Sequence, residues 1–571
     1  MLQAILGLFS HVMATRQIST LTDHTERNRI GDLCLCWPVV FSSGFCLAYG
    51  ACLLANHVGP ELMRYFGPVL LLCLSGHALA AQQAKPLSAI DWLSQSVEAP
   101  LVAPAPAAKP KVDEPPVATG ANVPQVTVTS LDGPSPDPVG LLSSAVTGLP
   151  RSLWAKSESA TLVSLMQSER VDTLPALHDL MMTLLLAEAD PPIGANADGD
   201  LFLARVDKLL DLGALDPALE LLEQVDTSSP NLFRRWFDVA LLTGNENKAC
   251  TQMGDIPNVA PTVSARIFCT ARNGDWSAAA LTLNTHRVLG DVTPEEEALL
   301  SRFLDPDLYE GEPVLPTPTR LSPLVFRMRE AIGEALPTAR LPNAFAHSDL
   351  RNTTGWKSQL EAAERLARIG AISENVLLGH YMARTPAASG GVWERVKAIQ
   401  KLDAAIAAAD PVDVAQRLDI AWDAMKDVKL EVPFAMLYAQ KLTALPLTGN
   451  AAEIAFTLSL LSQDYESAAQ TRDDGAFLTL LAEGVPAGAV DPIQTAVQAA
   501  FDGVEPSAEL QALALNGQLG EAILEAIHTF NAGIAGDTSA ITDALAFLRS
   551  IGLEDVARRA ALQLLILERD V

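Results

Sequence analysis

Aromatic side chains are scarce: 17 Phe, 8 Trp and 6 Tyr make up 5% of the 571 residues. That is thin for a sugar-binding cleft, and thin for a β-rich protein, whose strands favour aromatic and β-branched residues. Basic residues are few as well. Forty Lys and Arg stand against 68 Asp and Glu, leaving a formal charge of −28 and a pI near 4.7. Phosphate binding needs a Lys/Arg surface, so the composition argues against a nucleic-acid partner.

The signatures of catalysis and metal binding are also missing. The chain has no Gly-x-Ser-x-Gly, no Gly-x-Gly-x-x-Gly followed by an acidic residue, and no Gly-x4-Gly-Lys-[Ser/Thr]. Past residue 80 the histidines are His178, His286, His347, His380 and His528, none four residues from another and none in a Cys–His cluster. Zinc spacing is therefore absent. Asn196–Asp200 resembles half of a calcium loop, but Gly194 and Arg205 fall at positions one and twelve, where acidic ligands belong. Glu295–Glu297 follow Pro294 and read as a first helical turn matched to the helix dipole rather than as a catalytic pair. No metal, cofactor or catalytic residue is expected.

What is present begins with targeting signals. Residues 63–80 combine Met63–Arg64, an apolar run and the small pair Ala78 and Ala80, the three parts of a secretory signal peptide cut between Ala80 and Ala81. Residues 1–62 are then either an upstream extension of the gene or a membrane anchor. The span from Leu33 to Pro60 has no Asp, Glu, Lys or Arg and is long enough to cross a bilayer. Either way the bulk of the chain is expected outside the cytoplasm, periplasmic or secreted, or held at the inner membrane. Five of the seven cysteines precede the cut. The remaining pair, Cys250 and Cys269, is expected to form a disulfide in an oxidising compartment.

Eleven prolines fall between Pro100 and Pro150, so residues 81–150 are expected to form an extended, disordered Pro/Ala-rich linker. From Arg151 the apolar positions recur at three and four, as amphipathic helices require. A second proline cluster (Pro306, Pro313, Pro316, Pro318, Pro323) suggests a connector at 305–323 between helical domains 151–304 and 324–571. The expected fold is all-α, an α-solenoid of stacked antiparallel hairpins.

The basis for that expectation is a recurring junction: Gly or Gln, four residues, then Ala. It occurs at Gly213–Ala218, Gly244–Ala249, Gly274–Ala279, Gln463–Ala468, Gly517–Ala522 and Gly552–Ala557. One helix needs a residue tolerant of positive φ at its end, and the next needs a small residue where two helices cross. Gly274-Asp-Trp-Ser-Ala-Ala279 and Gln463-Asp-Tyr-Glu-Ser-Ala468 resemble the inter-helix turn of the tetratricopeptide family, whose repeat is about 34 residues. The Trp, Leu-Gly and Tyr positions of that family's first helix and its closing Pro are not found here. The resemblance implies helical hairpins that bind other proteins.

One stretch departs from the repeat. In 380–396, Arg384, Ser389, Gly390 and Gly391 lead into a helix carrying Trp393 and Arg395. Exposed amides at a helix start beside a cation could hold an anionic group, whereas an ordinary inter-hairpin turn would pack Trp393 into the core. The function expected is a scaffold for other cell-envelope proteins, without catalysis. Two other readings stand beside it: an (α/α)-toroid-type hydrolase of cell-wall glycans, and a membrane-anchored envelope-assembly factor. Intact mass of the exported protein should begin at Ala81 and be lighter than the dithiol form by two hydrogens. A species that retains residues 33–58, or that carries two free thiols, would refute the respective assignment.

Overall fold

The computed structural model describes residues 135–567. The possible anchor or gene extension at 1–62, the signal peptide at 63–80, the Ala80–Ala81 cut and linker residues 81–134 lie outside the described residues. Every regular element among the described residues is helical, and none of these helices is long and apolar enough to cross a membrane. Two isolated bridges, Leu142 with Ala187 and Glu158 with Ile193, are strand-like contacts between loops.

The helices run in chain order as α1 (Ser144–Thr147), α2 (Ser159–Ser168), α3 (Pro175–Leu186), α4 (Asp200–Leu212), α5 (Leu215–Glu223), α6 (Pro230–Thr243), α7 (Glu246–Asp255) and α8 (Val263–Arg272). Then come α9 (Trp276–Leu289), α10 (Pro294–Leu304), α11 (Pro323–Ala331), α12 (Asn343–Ala346), α13 (Trp356–Arg368), α14 (Glu374–Met382), α15 (Val392–Ala407), α16 (Pro411–Lys426) and α17 (Glu431–Thr443). The last eight are α18 (Asn450–Leu460), α19 (Tyr465–Ala469), α20 (Phe477–Glu483), α21 (Pro492–Phe501), α22 (Ala508–Leu515), α23 (Leu519–Ile534), α24 (Thr538–Ser550) and α25 (Glu554–Leu567).

The recurring junction has one geometry. In all six copies the second helix starts two residues after the Gly or Gln, which places the Ala at its fourth position. The five glycines have φ between 77° and 97°. All six alanines are buried, five of them completely. A methyl group there lets the neighbouring helix approach, and a larger side chain would hold it off. Only at Asp275 does a polar side chain cap the following helix, accepting from the Ala278 amide.

Most packing joins helices that follow one another, α4 on α5, α5 on α6, α6 on α7 and so on. Other pairs lie further apart in sequence, among them α4 with α12, α6 with α11, α20 with α25, α25 with α3 and α23 with α2. One apolar cluster extends from Leu149 to Leu567. The proline-rich segment 305–323 carries no α-helix until Pro323 opens α11, yet it is not a break between separate cores. Arg329 donates to the carbonyls of Leu315 and Pro316, and Glu334 accepts from the Leu315 amide at 3.0 Å. Prolines there stop the helices, while side chains of α11 and the turn after it hold the connector in place.

Of the linker expected over 81–150, residues 135–150 are instead folded against the helices. Gly140 lies against the backbone of Ala187–Glu188 so closely that a Cβ would sit 2.3 Å from the Glu188 amide nitrogen. Leu141 and Leu142 donate to the Leu186 carbonyl, and Glu188 returns a bond to Leu142. The reason lies in Arg205 of α4, which is completely buried. Its guanidinium donates to four main-chain carbonyls, Leu185 at 2.7 Å, Val139 at 2.8 Å, Ala187 at 3.0 Å and Asp137 at 3.1 Å. The Asp137 carboxylate accepts from the Phe202 amide in the first turn of α4. Prolines deprive 134–150 of ladder donors, but their carbonyl neighbours remain available as acceptors, and Arg205 uses them.

Replacing Arg205 by Met would orphan four carbonyls and leave Asp137 buried without its cation. Loss of one partner from a buried charge arrangement costs about 3–5 kcal/mol. Limited proteolysis of the wild type should leave a core starting near Ser135, and the Arg205→Met variant should be cut further in, at Arg151. Identical fragments from the two proteins would contradict this role.

Candidate functional site

The segment singled out in the sequence, 384–395, is a turn between α14 and α15. Gly390 and Gly391 both take positive φ, 86° and 54°, which turns the chain into α15. The Gly390 amide donates to Glu394 Oε1 at 3.2 Å, so the helix start carries its own carboxylate. Arg395 turns inward and makes two bonds to the buried Glu364 of α13, at 2.8 and 2.5 Å. Tyr381 completes the group, donating its hydroxyl to Glu364 at 2.8 Å. Burial, and then the Glu364 charge, push the Tyr381 phenol well above its ordinary value.

Trp393 is half-buried, with its ring 5.1 Å from that of Trp356, whose indole donates to the His380 carbonyl. Arg384 and Ser389 have exposed side chains, while the Arg384 carbonyl accepts from Gln400. The structure thus brings Trp393 and Arg395 into packing between α13, α14 and α15. It supplies the helix start with Glu394 in place of an external anion.

A second concentration of charge, on α4 and α6, was not singled out from the sequence. Every residue from Leu201 to Leu212 is buried, although four of them are charged. Apart from Arg205, Asp207 takes two 2.6 Å bonds from Arg235. Lys208 donates to the Glu169 carbonyl at 2.9 Å and to Asp211 at 3.3 Å. On α6, Arg234 stands 3.9 Å from Asp238. Burial raises the Asp238 carboxyl to about 7, and burial also lowers the Arg234 guanidinium. In the sequence Asp207, Lys208 and Asp211 fall on one side of α4, as a solvent face would, so their burial comes from tertiary packing and was not legible there.

A third polar group joins the first described helices to the last. The Ala176 amide at the start of α3 donates to Gln563 of α25 at 2.8 Å. Thr173 donates to Asn531 of α23 at 2.7 Å. The buried Glu169 carboxylate lies 3.2 Å from His528 Nδ1, and burial raises it while His528 and Lys208 pull it down. Trp154, fully buried, fits where Gly520 of α23 has no side chain.

Cys250 on α7 and Cys269 on α8 are disulfide-bonded, with Cα atoms 4.8 Å apart. Among the described residues, no three His, Cys, Asp or Glu side chains are grouped as metal ligands. No family model matches the chain, and neither a curated protein nor a solved structure matches it.

Asp238 makes the fold sensitive to pH in a defined direction. Its folded value near 7 lies above the ordinary 3.8, so the native state binds the proton more tightly than the unfolded chain. Its contribution to stability is complete below about pH 4 and is lost as the pH rises through about 7. Asp238→Asn should remove a slope on the order of 1 kcal/mol per pH unit across that window. Urea unfolding at pH 5, 6 and 7 tests this: a wild-type-to-variant difference that stays constant with pH would refute it.

Proposed function

We infer that this chain is an exported α-solenoid whose work is to hold other cell-envelope proteins, with no reaction of its own. The observation that carries this reading is the junction repeated six times, with its fixed helix start and buried Ala. Units built this way bury one face against their neighbours and leave the other along an extended surface available to partners. The turn that resembles the tetratricopeptide family points the same way. The targeting segment at 63–80 and the Cys250–Cys269 pair support an oxidising compartment outside the cytoplasm. An inner-membrane anchor over 33–58 turns the same scaffold into an anchored assembly factor.

The toroid hydrolase stands as second reading because α25 packs on α3, as the ends of a closed array of hairpins do. Such an enzyme needs two carboxylates facing each other across an aromatic-lined cleft. Of the carboxyls that burial raises here, Asp238 faces Arg234 and Glu169 lies beside His528 and near Lys208, both within helix packing. Crosslinking in cells followed by mass spectrometry separates the two readings. The scaffold reading expects recurrent crosslinks from the folded helices to envelope proteins. Release of soluble fragments from cell-wall glycan by the purified protein, without such crosslinks, would overturn it.

A further inference from the structure

The outer face of α9 is built unlike a solvent face. Its inner side is fixed by buried Ala279 and Leu283, and Leu281 and Val288 stand on the opposite side, one heptad apart. They are 68% and 82% exposed. Ser277, Asn284 and Thr285 complete that side, and it carries no charge. The Thr285 hydroxyl donates to the Leu281 carbonyl within the helix, so its donor is already used. Leu289, 66% exposed, adds apolar surface at the end of the helix, while Trp276 at its start lies toward the inner side against Phe303. An outward helical face normally carries charged residues.

The ends of this face are acidic. Between Asp275 and Glu312 the chain has nine acidic residues against Arg287 and Arg302. The Trp276 ring lies 5.8 Å from that of Phe303 at the end of α10, which brings exposed Asp305 and Asp307 beside the start of α9. At the other end stand exposed Asp291 and Glu295. A second copy of the chain would bring the same acidic ends and a charge of −28, so like charges oppose self-pairing through this face. A segment with a leucine stripe and Lys or Arg at both ends would be complementary in both respects.

We propose that the outer face of α9 is a docking surface for a basic amphipathic helix of a partner protein, set on Leu281 and Val288 and steered by the acidic ends. This rests on the scaffold reading above and names where it acts. The helix-in-groove mode uses anchors at such heptad spacing, and the charges govern approach more than affinity.

The test uses the full chain and a labelled synthetic helix of Leu and Lys, about three heptads long, with leucines on one face, followed by fluorescence anisotropy at physiological salt. The Leu281→Glu/Val288→Glu variant adds two negative charges. Attraction by charge alone therefore predicts tighter binding, whereas the docking face predicts binding at least about tenfold weaker. Leu281→Ser/Val288→Ser is measured beside it, with helicity by circular dichroism, and the same loss is expected. Equal or tighter binding by both folded variants overturns the proposal, as does failure of the wild type to bind the probe. A wild-type dimer in sedimentation that the variants lose would replace the basic partner with a second copy. Envelope crosslinks that map away from α9 would sink this surface while leaving the scaffold reading intact.

Discussion

A buried guanidinium decides where this fold begins. Arg205 can remain inside only because four carbonyls and the Asp137 carboxylate surround it, and those groups belong to segments on both sides of α2 and α3. Burial still lowers the Arg205 value to about 10, a measure of how strongly the surroundings lack water. A buried cation without such partners would be far more costly than any local gain from helix formation. The loop 137–142 and the end of α3 with the residues after it, 185–188, are thereby held against α4. The same helix also positions Asp207 against Arg235 and Lys208 against the Glu169 carbonyl, so α4 orders its neighbours by charge as well as by apolar contact.

The parts of the fold legible in the sequence are those set by local physics. A residue tolerant of positive φ followed by a small residue has a direct meaning, because backbone conformation and side-chain volume act over a few residues. Gly244 and Ala249 behave as the spacing implies, and so do Gly517 and Ala522. Even at Gln463 the spacing outlasts the loss of glycine, with Tyr465 opening α19 and Ala468 buried. Over 135–150 the proline spacing misled for a related reason. Proline spacing reports missing donors, but a carbonyl can still be held by a distant side chain, and Arg205 lies more than fifty residues from Val139.

The segment 384–395 shows the same limit at the scale of a site. Gly390 and Gly391 mark a turn, and Trp393 an aromatic contact, from composition alone. Whether Arg395 is available to a ligand depends on Glu364, 31 residues earlier, and on Tyr381 closing the group from a third helix. Charge on a sequence is potential binding capacity; folding neutralises some of it internally. The arginines of α8, α11 and residue 351 follow that rule, since Arg272 and Arg327 both reach Glu246, and Arg351 reaches Glu330.

Stacked helical units face a problem at their ends, where the outermost hairpin has no neighbour to cover its apolar side. Open arrays solve it with polar terminal units. Here the first and last of the described helices pack on one another, α25 on α3 and α23 on α2. Apolar contact alone would permit these helices to slide, because dispersion and burial have little directional preference. The bonds from Ala176 to Gln563 and from Thr173 to Asn531 are directional, and an unpaired buried amide at the start of α3 would be penalised. Gly520 adds a steric register mark, since only a residue without a side chain admits the Trp154 ring at that point of α23. The pairing of these helices is therefore specified by directional polar contacts and one fitted ring, which fix the register that the apolar surfaces leave open.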